Sequence, residues 1–230
     1  MLRGGSNRAA ILNDNVARQG GGAYVVDLGS NLATVDAWVI GSLATEDGGA
    51  AFVRDGGLLE MSRTLGESCH DPVRCSRLAL NHAGQAGSPG RGGAVFVDGE
   101  MGCGGDGEGD PCSLTGAGIA RTYIEENSVE DHEDSRGSVG FAQDHTFRDG
   151  NTVLAVGSSI LARNRNGREV LFSSDQLLIQ FSTITANTAT RALTMLIDDQ
   201  GIVPGFDATS RLVLGYSTIW DEGATLEVLR

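Results

Sequence analysis

One phrase recurs along this chain and limits what it can fold into: an aliphatic segment, then Asn-x-Ala, a few polar residues, and Gly-Gly-Ala opening an alternating apolar strand. Its first copy runs from Ile11 to Val26, where Asn15 and Ala17 lead to Gly21, Gly22 and Ala23 and the strand Tyr24, Val25, Val26. In the second, Ser42 takes the Asn place, Ala44 follows, and Gly48, Gly49 and Ala50 open Ala51, Phe52, Val53. The third has Asn81 and Ala83, a longer loop, then Gly92, Gly93 and Ala94 before Val95, Phe96, Val97. Later copies keep the outline and lose the glycines: Asn127 before Val139 to Ala142, Asn164 before Val170 to Phe172, and Asn187 with Ala189 before Ala192 to Ile197. A companion phrase marks the strand ahead of the Asn, as Ser158-Ser159-Ile160, Ser182-Thr183-Ile184 and Ser217-Thr218-Ile219. A further apolar run accompanies each, for example Leu58 to Met61, Val153 to Val156 and Leu177 to Ile179.

Each repeat therefore holds three short strands, and successive Asn positions lie 23 to 46 residues apart. Three strands of roughly 4 to 5 residues and three turns need about 23 residues, one turn of a three-sided parallel β-solenoid. The longer intervals are read as insertions mapping to surface loops. The fold expected is all-β: a single domain over residues 1–230, a right-handed parallel β-helix of six to seven coils. In such a stack, equivalent side chains form columns, with Ile and Leu filling the core. Asn15, Asn81, Asn127, Asn164 and Asn187 are expected as turn residues in left-handed (αL) backbone, their amides bonding turn groups and the Asn of the neighbouring coil. The competing reading is an antiparallel sandwich with ordinary turn residues, but a sandwich has no cause to repeat one phrase six times.

Composition agrees with an ordered, turn-rich chain, with 34 Gly against only 4 Pro, and with a narrow aliphatic core, since aromatics make up 5%. The net charge is −13, and all 17 basic residues are Arg. Scattered among 30 acidic residues, they form no basic stripe, which excludes nucleic acid as an expected partner. The acidity serves solubility through self-repulsion, with cation binding as the alternative.

Four cysteines form two close pairs in polar segments, Cys69 with Cys75 and Cys103 with Cys112. Short loop disulfides in an oxidising compartment are the natural reading, with zinc as the competitor, although neither spacing is a CxxC knuckle. The first residues, 1–15, hold no apolar run of the length a signal peptide needs, and no run of about 20 apolar residues could span a membrane. The expectation is a piece of a longer exported protein, secreted or at the cell surface.

The combination of Asn-x-Ala, Gly-Gly-Ala and Ser-Thr-Ile resembles the right-handed parallel β-helix repeats of bacterial surface and secreted proteins, and looks like the polymorphic outer membrane protein repeats. The resemblance covers about Ala9 to Trp220. It departs from that pattern in the missing Gly-Gly of the fourth and fifth copies and in the absence of Phe before Asn. It implies a fold that carries adhesins and passengers of exported proteins as well as polysaccharide lyases, hydrolases and esterases.

Candidate chemistry is sparse. Asp198 and Asp199 form a pair that resembles the paired Asp of polygalacturonase-like hydrolases, but the Asn-Thr-Asp, Gly-His-Gly and Arg-Ile-Lys segments are absent. Arg163, Arg165 and Arg168 lie near one turn and could contact an acidic sugar. The stretch from Glu125 to Asp149, with His132 and His145, reads as a solvated acidic loop or a cation site. Asp106, Glu108 and Asp110 alternate with glycines, which could turn several oxygens toward one Ca²⁺, though the bidentate Glu of an EF-hand is missing. Apart from that Ca²⁺, no cofactor is expected. The expected function is a non-catalytic surface, adhesion or structural module with a glycan or a host or cell-surface protein as partner. The alternative is a polysaccharide lyase or glycoside hydrolase acting on an acidic glycan.

Overall fold

The computed structural model describes residues 1–3, 9–63, 75–99, 114–143, 152–189, 191–196, 211–220 and 225–229. Among them every regular element is a β-strand, of two to six residues, and the strands pair in parallel. No helix of the described residues is long and apolar enough to cross a membrane. The strands form three sheets of seven and one of four.

One passage shows the path. Thr115–Ala120 lies in sheet I, Thr122–Glu125 in sheet II, Ser128–Val129 in a short sheet and Gly140–Gln143 in sheet III. The chain then returns to sheet I, where Thr152–Gly157 pairs in register with Thr115–Ala120. The described strands make this circuit seven times, the last three without a strand in the short sheet. Three strands per repeat were expected, and the fourth is the Asn-x-Ala segment itself. Its two residues pair from circuit to circuit, as Leu43 and Ala44 with His82 and Ala83, a run too short for periodicity to reveal.

The alternation within each strand builds the core. Thr152–Gly157 alternates buried and half-buried positions along its whole length. In register, Val39, Leu78, Ile124, Leu161 and Ile184 form one interior column from sheet II. Leu59, Ala117, Leu154 and Leu177 form another from sheet I. Every member is at most 6% exposed, so the columns are dry and hydrophobic burial holds circuit to circuit.

The corners carry a second regularity. Positive φ falls on Asp14, Gly41, Leu80, Glu126, Arg163 and Ala186, each one residue before Asn15, Ser42, Asn81, Asn127, Asn164 and Asn187. This corrects the expected geometry: the left-handed residue precedes the Asn. A single left-handed residue between extended neighbours bends the chain sharply, and the next side chain turns inward, where an Asn amide must find dry partners. The partners are its own equivalents. Asn127 Nδ2 donates to Asn164 Oδ1 at 3.1 Å and to the Leu78 carbonyl at 2.9 Å. Its Oδ1 accepts from Asn81 Nδ2 and the Asn81 backbone N–H at 2.9 and 3.1 Å. Asn164 repeats the pattern toward Asn187.

The corner between sheets I and II works in the same way with hydroxyls. Positive φ at Arg121, Ser158, Phe181 and Tyr216 is followed by Thr122, Ser159, Ser182 and Ser217. The backbone N–H of Thr122, Ser159 and Ser182 donates to the hydroxyl of the next circuit, each at 3.2 Å. Ser182-Thr183-Ile184 and Ser217-Thr218-Ile219 open on this row, whereas in the circuit before them the equivalent run is Ser159-Ile160-Leu161, one residue later than the expected phrase Ser158-Ser159-Ile160.

The asparagine row has one gap. Asn15 Nδ2 and Ser42 Oγ are both buried without a partner, because a serine at position 42 is too short to span to both neighbours. Restoring the row with Ser42→Asn gives Asn15 Nδ2 an acceptor. We expect Ser42→Asn to raise stability by about 1–2 kcal/mol in urea unfolding, the cost of one buried polar group left unmade.

Candidate functional site

The outer faces of the sheets differ in kind. On sheet III, Tyr24, Phe52, Phe96, Phe141 and Phe172 occupy one outward column, their rings stacked at centroid distances of 4.4 to 5.5 Å. The four Phe are nevertheless buried, and two arginines lie over them. The Arg91 guanidinium carbon sits 4.8 Å from the Phe96 centroid, and that of Arg136 sits 4.2 Å from Phe172. Each arginine is fixed by an acid. Arg91 gives Asp47 contacts at 3.0 and 2.7 Å, and Arg136 gives Glu169 contacts at 3.1 and 2.5 Å. Burial pushes the Asp47 carboxyl up from its ordinary value against the pull of Arg91. This ring, cation and acid ladder is structural.

Sheet II carries a second charged group. Glu125, 2% exposed, lies between Arg77 and Arg163, in contact with both, and Arg163 also reaches Glu126 at 3.3 Å. Glu125 is thus the end of a strand and not part of a solvated loop. Arg163 is held by these acids, whereas Arg165 is exposed in line with Ser128 on the short sheet. Among the described residues no cluster of three or more His, Cys, Asp or Glu is arranged to hold a metal ion.

Sheet I has a different outer face. Its outward columns include Gly118 and Ala120, then Ala155 and Gly157, with Glu60 and Ser62 in the circuit before and Leu178 and Gln180 in the circuit after. Small residues in two successive circuits between longer ones leave a hollow of about 350 Å³. A Cβ on Gly157 would meet nothing within 4 Å, so the floor is open to solvent. The connections 64–74, 100–113, 144–151 and 197–210 each leave or enter a strand of this sheet. The pairs Asp198 and Asp199, and the set Asp106, Glu108 and Asp110, fall on them and lie outside the described residues, as do Cys69, Cys103 and Cys112. Cys75, the one described cysteine, is in a disulfide.

Comparison with known proteins finds no matching family model, no matching curated protein and no matching solved structure. The class rests on the chain's own geometry: an all-β protein of parallel sheets stacked by repeated circuits.

Proposed function

We propose that this chain is a right-handed, three-sided parallel β-helix of seven coils, similar to the polymorphic outer membrane protein repeats, and that it serves an exported or cell-surface protein as a binding or structural module that does not cleave glycosidic bonds. The observation that carries this reading is the hollow on sheet I, small-floored and largely apolar, between the longer side chains of the circuits before and after. Arg77, Arg163 and Glu125, charged side chains of the kind a lyase or hydrolase uses, are committed to one another. A wide, rigid face with a shallow depression suits a glycan chain or a flat patch of a cell-surface protein.

The test incubates the folded, oxidised chain with a panel of acidic and neutral polysaccharides, with and without Ca²⁺, following binding by calorimetry and bond cleavage by new reducing ends and unsaturated products. Binding without cleavage is expected, weakened at least about tenfold by Gly157→Phe with an unchanged melting temperature, because the ring would occupy the hollow without touching the core. Cleavage that disappears in Asp199→Ala would replace this reading with the lyase or hydrolase one.

A further inference from the structure

The short sheet brings together a histidine, a serine and a glutamate from two successive circuits. His82 and Ser128 occupy the same outward column in adjacent circuits, paired in register, while their neighbours Ala83 and Val129 are fully buried. His82 Nδ1 lies 2.9 Å from Ser128 Oγ. The other ring nitrogen, Nε2, lies 3.5 Å from Glu130 Oε2, and Glu130 faces outward with Ser128 because Val129 between them turns in. The backbone N–H of Glu130 is bonded to the Ala83 carbonyl, which fixes it beside the histidine. On the far side of Ser128, one circuit further on, stands Arg165, paired with it across the sheet and exposed.

We propose that Ser128, His82 and Glu130, with Arg165, form an acyl-transfer site for carboxylic esters that carry a second, free carboxylate. The proposal goes beyond the binding role and does not rest on it, since it uses a different sheet. Its logic is that of a hydroxyl made nucleophilic by a base held in the right tautomer. Of the two imidazole tautomers, a carboxylate near Nε2 selects the one with its proton on Nε2, which leaves Nδ1 to accept the proton of Ser128 Oγ. As that proton moves to Nδ1, Oγ bonds the ester carbonyl carbon. The C–O bond to the alcohol then breaks, and the imidazolium returns the proton to the departing alkoxide. Water, deprotonated by the same Nδ1, adds to the acyl carbon; the bond to Ser128 Oγ breaks, the imidazolium returns the proton to Oγ and the acid departs, so the net reaction consumes only ester and water. Glu130 is a positioning residue. The Arg165 guanidinium, one strand away, offers a bidentate partner for the free carboxylate, which sets the substrate class.

Two probes test this on the whole chain. A fluorophosphonate reagent reports the nucleophile directly, with the modified peptide mapped by mass spectrometry, and the mono-4-nitrophenyl ester of succinate is compared with 4-nitrophenyl acetate. We expect labelling at Ser128, and hydrolysis that prefers the succinate ester by at least about tenfold. Ser128→Ala should abolish both. His82→Gln should lower the rate by roughly 10²–10⁴, the usual worth of a positioned base. Arg165→Ala should raise KM for the succinate ester and leave the acetate ester unchanged. Glu130→Gln should slow labelling without moving the melting temperature, and Glu130→Asp should restore part of it, a pattern that a merely structural carboxylate would not give. A folded protein that is not labelled at Ser128, or an esterase rate that survives Ser128→Ala, overturns the proposal. Because labelling is read on the unmodified chain, a variant that fails to fold does not rescue it.

Discussion

Replacing Asn127 with alanine is expected to lower stability by about 3–5 kcal/mol, a large part of the roughly 5–15 kcal/mol that holds a typical domain together. The residue is fully buried, and its side chain takes part in four hydrogen bonds that reach three circuits. Deleting it takes the acceptor from the Asn81 backbone N–H and from one N–H of the Asn81 side-chain amide, whose other bond runs to the Val39 carbonyl, and frees the Leu78 carbonyl. No water-sized opening has to accompany that loss for it to be costly, because each buried polar group left unmade costs about 1–3 kcal/mol. The same truncation at Asn15 should cost less than about 1 kcal/mol, since Asn15 Nδ2 already lacks a partner. Urea unfolding of the two variants compares them directly. Equal losses would mean that the asparagines contribute by shape alone and that the row is incidental.

The second large effect concerns Arg136. Truncating it to alanine leaves the Glu169 carboxylate, fully buried, with only the more distant Arg191 contact at 3.8 Å, and strips the cation from the Phe172 face. A buried charge robbed of its partner typically costs about 3–5 kcal/mol, so the variant should be among the least stable single substitutions of the chain. Glu169→Gln in that background should recover a sizeable part, because it removes the unpaired charge. A double-mutant cycle is therefore expected to give a coupling of at least about 2 kcal/mol. Additive effects, with no coupling, would show that Arg136 acts through packing on the rings and not through the acid.

How much of this was legible beforehand depends on sequence distance. The repeated Asn, the Ser-Thr-Ile phrase and the aliphatic runs announce themselves because each recurs, and recurrence survives insertions of any length. The left-handed position was placed one residue late, on Asn81 instead of Leu80, because asparagine is the residue that habitually tolerates that backbone. Leu80, Glu126 and Arg163 give no such signal: what matters at those sites is only that the side chain faces solvent. The Phe52, Phe96, Phe141 and Phe172 column was hidden inside strands whose alternation suggested an outward residue. Nothing local to those strands shows that Arg91 and Arg136 would cover it. The contact between His82 and Ser128 spans 46 residues and depends on the register between circuits, which variable insertions conceal. Arg163, prominent in the sequence for its neighbours Arg165 and Arg168, is engaged in space with Glu125 and Glu126, partners that sequence spacing does not reveal.

The asparagine row also explains how a chain with such uneven repeats keeps its circuits aligned. Between one Asn and the next the sequence spends anything from 23 to 46 residues, yet the amide of each must arrive directly over its predecessor or leave a dry donor empty. The row therefore acts as an index mark, resetting the alignment once per circuit whatever was added in between. Because Asn81, Asn127 and Asn164 each donate from Nδ2 to the Asn Oδ1 of the following circuit, the mark also has a direction. A circuit can be accepted in one orientation only, and the loops are left free to change while the frame beneath them keeps count.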